Sequence, residues 1–350
     1  MQHERNKIDM LLLRCRRNRS GRRRKTMNFA SYIKEIGRGA HSARDLSITD
    51  AGQLYAAMLD GGVPELELGA IALALRIKTE SVSELIGFYS AVSARLYRLE
   101  APPGKPRPVA IPSYNGTRKQ PNLMPLIARL LERFSMPVLM HGTLDGGGRS
   151  ASAYVLRELG VLPCATLGQA QQALNAGRIA FVPTAVLSPG LAGLLALRSR
   201  LGVRNSAHTL AKLIDPFGGA SVRLVGVTHP DYLQKLHDFF AATGERALLM
   251  RGTEGEAFAN PRKRPRIEFH EAGLYTVLFE EERMATAVET CDIDVKATAA
   301  WIEKALNGAV PLPLPIVNQL ACCLYGSRYA EDFNQAKAIV ALETFGAVTA

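Results

Sequence analysis

Between Asn28 and Leu99 the apolar positions recur at intervals of three and four residues, the spacing that lines one face of a helix. Ser47 to Leu59 reads as one amphipathic helix closed by Gly61-Gly62, the residue type that ends a helix in a left-handed turn. Pro64 opens a second helix with Glu65 and Glu67 in its first turn, where the dipole favours negative charge. Through Ile77 that helix carries Leu68, Ile71, Leu73 and Leu75 around most of its circumference, so it is expected to be buried or to sit at a subunit interface. Ser81 and Glu84 have capping-box spacing ahead of a third helix, Val82 to Arg95. Ala101-Pro102-Pro103-Gly104 reads as a linker, and after it the periodicity changes. Apolar runs at 108–112, 137–140, 179–183, 223–227 and 247–250, most of them separated by helix-like segments, predict a largely parallel sheet covered on both faces. Residues 189–213 revert to a Leu/Ala-rich helical pattern and are expected to return to the helical domain. Pro311 to Pro315 reads as a turn before a last helix, Ile316 to Tyr325. The predicted fold class is α/β: a small all-helical domain over 27–100, with the 189–213 insert, and a larger α/β domain over 105–350 with a mostly parallel central sheet.

Charge alters this picture less than its total suggests. The chain of 350 residues has a formal net charge of +11, but residues 1–26 hold ten Lys and Arg against Glu4 and Asp9, so eight of the eleven charges lie there. A basic surface on the folded body must therefore come from clustering. Residues 1–26 are expected to be disordered, with almost nothing to bury. Three readings stay open for them: a basic arm that tracks phosphates, a transit-like leader, or an upstream translation artefact with Met27 the real start. The five cysteines show no C-x-x-C and no metal spacing with histidine, which points to reduced thiols in a cytoplasmic protein. No apolar run has the length of a membrane helix.

The stretch Ile111–Gln120, IPSYNGTRKQ, follows the first predicted strand and precedes a helix-like segment at 123–134. Strand, tight turn and helix form the arrangement in which backbone N–H groups collect an anion. Asn115, Gly116, Thr117, Arg118, Lys119 and Gln120 are the candidate phosphate ligands, and no carboxylate lies between Ile111 and Leu131. Gly146-Gly147-Gly148-Arg149 before a helical segment offers a second such site, with Arg149 as its cation. In the insert, Arg198, Arg200, Arg204, His208 and Lys212 form a third cluster. Arg200, Arg204 and His208 are spaced i, i+4, i+8 and share one face if Gly202 leaves the helix unbroken. Arg38, His41 and Arg44 form a weaker group, and Arg262 to Arg266 a dense basic loop that reads as solvated surface. Tyr114 and Phe217 are the candidates for stacking on bases. His229 and Asp231 suggest acid–base work, but no nucleophile is placed with them.

The strings IKEIGRG with ARDL (33–46), VPELELGAIALALRIK (63–78), IPSYNGTRKQ (111–120), LGVRNSAHTLAKL (201–213) and MRGTEGE (250–256) resemble the anthranilate phosphoribosyltransferases and nucleoside phosphorylases of glycosyltransferase family 3. Within them the match is to the YbiB-type branch, described as nucleic-acid-binding. The resemblance implies a homodimer formed through the helical domain. It also implies phosphoribosyl pyrophosphate held with Mg²⁺ in a G-T-G-G-D loop, matched here by Gly116, Thr117, Arg118, Lys119 and Gln120. The family's two later glycines are thus replaced by long cations and its Asp by an amide. The metal-holding Asp-Glu pair of the enzymes falls on Ala257 and Phe258, which cannot ligate a hard cation. His141-Gly142 matches the HG of the enzymes, and Arg198 the arginine that holds the anthranilate carboxylate.

The expectation is a homodimeric, sequence-nonspecific nucleic-acid-binding protein without cofactor. A basic cleft is expected to bring Arg198–Lys212 to the same side as Arg118 and Lys119. The alternative is a phosphoribosyltransferase using phosphoribosyl pyrophosphate with Mg²⁺.

Overall fold

A computed structural model describes residues 27–39, 42–285 and 288–344. The 1–26 extension and His41 of the weaker basic group lie outside the described residues. The chain divides into two compact units, one taking in the chain up to Tyr97 with Ser188–Ile214, the other Arg98–Leu187 with Asp215–Ala350.

The first unit is helical: Phe29–Ile36, Ile48–Leu59, Glu65–Lys78, Val82–Ser93, Pro189–Leu201 and Ala207–Leu210. Three of these helices start where a side chain satisfies free N–H groups. Ser47 accepts from Asp50 N, and the Ser81–Glu84 capping box is complete. Glu84 is fully buried and does more than cap. Its Oε1 accepts from Leu46 N at 3.0 Å, while Oε2 accepts from Ser81 N and pairs with Lys78 Nζ, both at 2.8 Å. Lys78 also pairs with Asp45. On the Glu65–Lys78 helix Ile71, Ala72 and Leu75 are buried, whereas Leu66, Leu73 and Ile77 are exposed. These last three recur at i, i+7, i+11 and so share one face.

The second unit is built on a seven-stranded sheet. Its parallel strands are β1 (Val109–Ser113), β2 (Val138–Gly142), β3 (Ile179–Pro183), β4 (Val222–Val227) and β5 (Ala247–Arg251). All five are buried throughout or in all but the last residue, as continuous apolar runs in a covered parallel sheet should be. Beyond the expected parallel strands, β6 (Lys263–Arg264), β7 (Ile267–Glu271), β8 (Leu274–Phe279) and β9 (Glu282–Arg283) are antiparallel: β7 and β8 extend the sheet, and β6 pairs with β9 as a separate ribbon. The tail holds helices Val295–Leu306, Leu314–Gly326 and Phe333–Glu343, so the 316–325 segment is not the last helix. One apolar cluster joins β1, β2, β4, β5 and β7 to the helices Met124–Arg133, Ser152–Glu158, Val295–Leu306 and Leu314–Gly326. The sheet runs in the order β3-β2-β1-β4-β5-β7-β8, so strand order reverses between β1 and β4, and ligands of open α/β sheets bind beyond the carboxyl ends of the strands at such a point. No helix among the described residues is long and apolar enough to cross a membrane.

Candidate functional site

The turn after β1 is an anion-binding turn, and the anions it holds are the chain's own. Glu256 reaches from the loop after β5 and is fully buried. Its Oε1 accepts from Asn115 N and Gly116 N, both at 2.7 Å. Glu254 accepts from Arg118 N at 3.1 Å, Lys119 N at 2.9 Å and Gln120 N at 3.1 Å. Five turn donors that a phosphate would use are therefore engaged by two carboxylates. Gly116 makes the turn possible: its φ is +61°, and a Cβ there would stand 3.0 Å from Ser150 O. Thr117 and Ser150 close the turn through a pair of backbone bonds, Thr117 N to Ser150 O and Ser150 N to Thr117 O.

This changes the expected ligand set. The backbone of Asn115, Gly116, Arg118, Lys119 and Gln120 is not offered to an external anion, and Asn115, Gly116 and Thr117 are buried. What remains outward are the side chains of Arg118 and Lys119, both exposed and, among the described residues, in no ion pair. The glycine run is likewise occupied. Gly147 N donates to Asp145 Oδ1, Arg149 N to Gly146 O, and the Arg149 guanidinium points back to Gly116 O at 3.5 Å. Ala257 and Phe258, the positions matching the family's metal ligands, are buried in the apolar core. Glu254 and Glu256 were missed from sequence. Two carboxylates flanking Gly255 after a parallel strand beside the crossover were the available signal.

His141 lies near the end of β2, fully buried, with Nδ1 2.8 Å from Tyr114 Oη. Burial pushes its pKa down to about 3, against a smaller opposing pull from Asp215. The same burial raises the Tyr114 hydroxyl. Tyr114 and Phe217 are only 6% and 7% exposed, so neither is available to stack on a base.

The basic loop at 262–266 is neutralised by an acidic run that the β6–β9 ribbon brings opposite it. Lys263 pairs with Glu281, Arg264 with Glu282, and Arg266 with Glu280 and Glu268. An open groove of about 320 Å³ lies alongside, lined by Gln120, Arg251, Glu254 and Lys263 among others.

In the helical unit, the i, i+4, i+8 stripe is interrupted. The helix ends at Leu201 because Gly202 takes a left-handed conformation (φ +72°) and returns its N–H to Arg198 O. Arg200 is drawn off to Glu65 in an exposed bidentate pair. His208 sits buried on the next short helix, its pKa pushed down to about 4 by burial and then by the charges of Arg204, Arg198 and Lys212. Arg198, Arg204 and Lys212 thus lie around a neutral His208, and Arg200 is turned toward Glu65.

The helical bundle and the sheet order, with a turn after β1 at the strand crossover, define a protein of the anthranilate phosphoribosyltransferase-like fold. Residues 30–95 match the glycosyl transferase family helical bundle domain. The anthranilate phosphoribosyltransferase structure from Thermus thermophilus superposes with a TM-score of 0.71 at 20% identity, covering 90% of this chain and 94% of that one. The enzyme of that name from Methanosphaerula palustris is 26% identical over 87% of this chain and 91% of its own length. The Escherichia coli K12 protein YbiB is 44% identical over 90% of this chain and 99% of its own length. The chain belongs to the YbiB family.

Proposed function

We propose that the protein binds the phosphate backbone of nucleic acids without sequence preference and does not carry out phosphoribosyl transfer. The observation that carries this reading is the pair of carboxylates in the β1 turn. Glu254 and Glu256 occupy the amides through which a pyrophosphate would be cradled, and two negative charges there repel a third anion. A Mg²⁺ ion held as in the related enzymes would need oxygen ligands at positions 257 and 258, and Ala257 and Phe258 supply none. The residues therefore do not fit that metal, and no step is assigned to it. The same carboxylates fix the turn so that Arg118 and Lys119 project outward as two adjacent cations. Arg198, Arg204 and Lys212 give the helical unit a second cation group. The two aromatic candidates for stacking, Tyr114 and Phe217, are buried, which favours contact with phosphates over readout of bases.

The test is fluorescence anisotropy with a single-stranded oligonucleotide, titrated across salt, on the full chain and on the chain beginning at Met27. Replacing Arg118→Glu together with Lys119→Glu is expected to weaken binding to every oligonucleotide alike, by about tenfold or more at low salt. Losing two phosphate contacts should also flatten the salt slope by roughly 1.4, at about 0.7 per contact for single strands. Unchanged affinity would remove the turn from the site. Binding of phosphoribosyl pyrophosphate with Mg²⁺ that the same changes abolish would favour the transferase alternative.

The reading includes a homodimer formed through the helical unit, supported by the exposed face of Leu66, Leu73 and Ile77, with Leu66 84% exposed. A contiguous apolar stripe of this kind is costly in water and is characteristic of an interface. Light scattering is expected to report a dimer for the wild type and a monomer for Leu66→Glu with Leu73→Glu. A wild type that is monomeric at tens of micromolar would refute it.

A further inference from the structure

Glu268 and His270 are alternate residues of β7, so their side chains leave the same face of the sheet. It is the face opposite Ile267 and Phe269, which enter the apolar core. The helix Pro230–Thr243 brings His237 to them. His237 Nδ1 lies 2.9 Å from Glu268 Oε2, and His270 Nε2 lies 3.2 Å from the same oxygen. The three donor atoms fall within 4.8 Å of one another. Neither backbone binding nor the fold's transferase chemistry uses any of these residues.

We propose that His237, Glu268 and His270 form a binding site for one borderline divalent cation of the Zn²⁺ type, tying the Pro230–Thr243 helix to β7. Two imidazoles and a carboxylate are a donor set such a cation accepts, with a fourth position left for water. At ligand distances of about 2.0–2.2 Å, neighbouring donors of a tetrahedral site stand roughly 3.3–3.5 Å apart. The two carboxylate–imidazole separations, 2.9 and 3.2 Å, need to open by only a few tenths of an ångström, and the imidazole nitrogens already lie within 4.8 Å of each other. The surroundings suit the role. Arg266 Nε bonds the other carboxylate oxygen, Oε1, at 2.9 Å and is itself paired with Glu280, which orients the carboxylate and leaves Oε2 to the imidazoles. His270 Nδ1 has no hydrogen-bond partner among the described residues. The Nε2 proton now shared with Glu268 would have to move to Nδ1 for Nε2 to ligate, and no partner holds Nδ1 in its present form. Tyr275 on β8 walls the cluster, stacked on His270 at 5.8 Å and edge-on to His237 at 4.5 Å between centroids. His237 and Glu268 keep 23% and 14% of their side chains exposed, which leaves a path for the ion.

The experiment uses the full chain, stripped with a chelator and then titrated with Zn²⁺ alone by calorimetry, with Co²⁺ as a spectroscopic substitute. Expected are one tight equivalent per chain, a Tm raised by a few degrees at a hundredfold excess over Kd, and a tetrahedral Co²⁺ band without thiolate charge transfer. His237→Ala, at a partly exposed position, should abolish all three, and Glu268→Gln should weaken Zn²⁺ at least about tenfold while keeping the side-chain shape. Three results would each overturn the proposal: no tight equivalent in the wild type, the same equivalent in both variants, or a thiolate band that places the ion on cysteine. In those cases the cluster is a hydrogen-bonded carboxylate and nothing more.

Discussion

Glu256→Ala is expected to lower the unfolding free energy by about 3 kcal/mol, read as a shift of the urea midpoint at unchanged m-value. The substitution strands Asn115 N and Gly116 N, two buried donors now bonded at 2.7 Å, and each buried donor left without an acceptor costs about 1–3 kcal/mol. Part of that loss is offset, because Glu256 Oε2 is itself buried without a partner and its removal relieves a desolvated charge. Glu256→Gln separates the two contributions. Its amide oxygen still accepts from both N–H groups, so it should stay within about 1 kcal/mol of the wild type. If the Ala and Gln variants lose equal stability, the carboxylate does not act by capping the turn.

The second large effect is acid lability above pH 5. His141 and His208 titrate near 3 and near 4 in the folded protein, both chiefly because burial disfavours the charged ring. In the unfolded chain each imidazole takes up its proton near 6.5. Between those values the unfolded state holds more protons than the folded one, so stability falls as pH falls. The loss begins as pH drops through about 6.5 and continues until the folded rings protonate. At about 1.4 kcal/mol per unit, His208 alone accounts for roughly 3 kcal/mol over its whole window. Urea midpoints measured between pH 7.5 and 5 should decline steadily. His208→Gln should remove close to half of that slope. A slope unchanged in the variant would mean that His208 titrates in the folded protein as it does in the unfolded chain.

Much of the architecture was legible because it depends on local patterns. Five apolar runs became the five parallel strands, since a strand buried on both faces needs no partner's identity to be recognised, only its own continuous apolarity. Ser81 with Glu84, and Gly61-Gly62 after Leu59, marked helix ends through contacts within four residues. The short antiparallel strands were not visible, because β6 and β9 have two residues each and no period can be read from two.

The candidate site divides in the same way. The residues from Asn115 to Gln120 announced a turn able to hold an anion, and that ability is local: it comes from backbone N–H groups beside a glycine with positive φ. Which anion fills it depends on Glu254 and Glu256, more than 130 residues away in the chain, and only the adjacency of β1, β4 and β5 brings them there. The same holds for the basic clusters. Charge density in Arg262–Arg266 is a property of the sequence, but its neutralisation by Glu280–Glu282 is a property of the ribbon that pairs them. The sequence by itself determined the fold class, the helix ends and an anion-seeking turn, all set by contacts between near neighbours. Only the tertiary structure decided which charges stay outward, because a charge is cancelled or left free by what folding places opposite it.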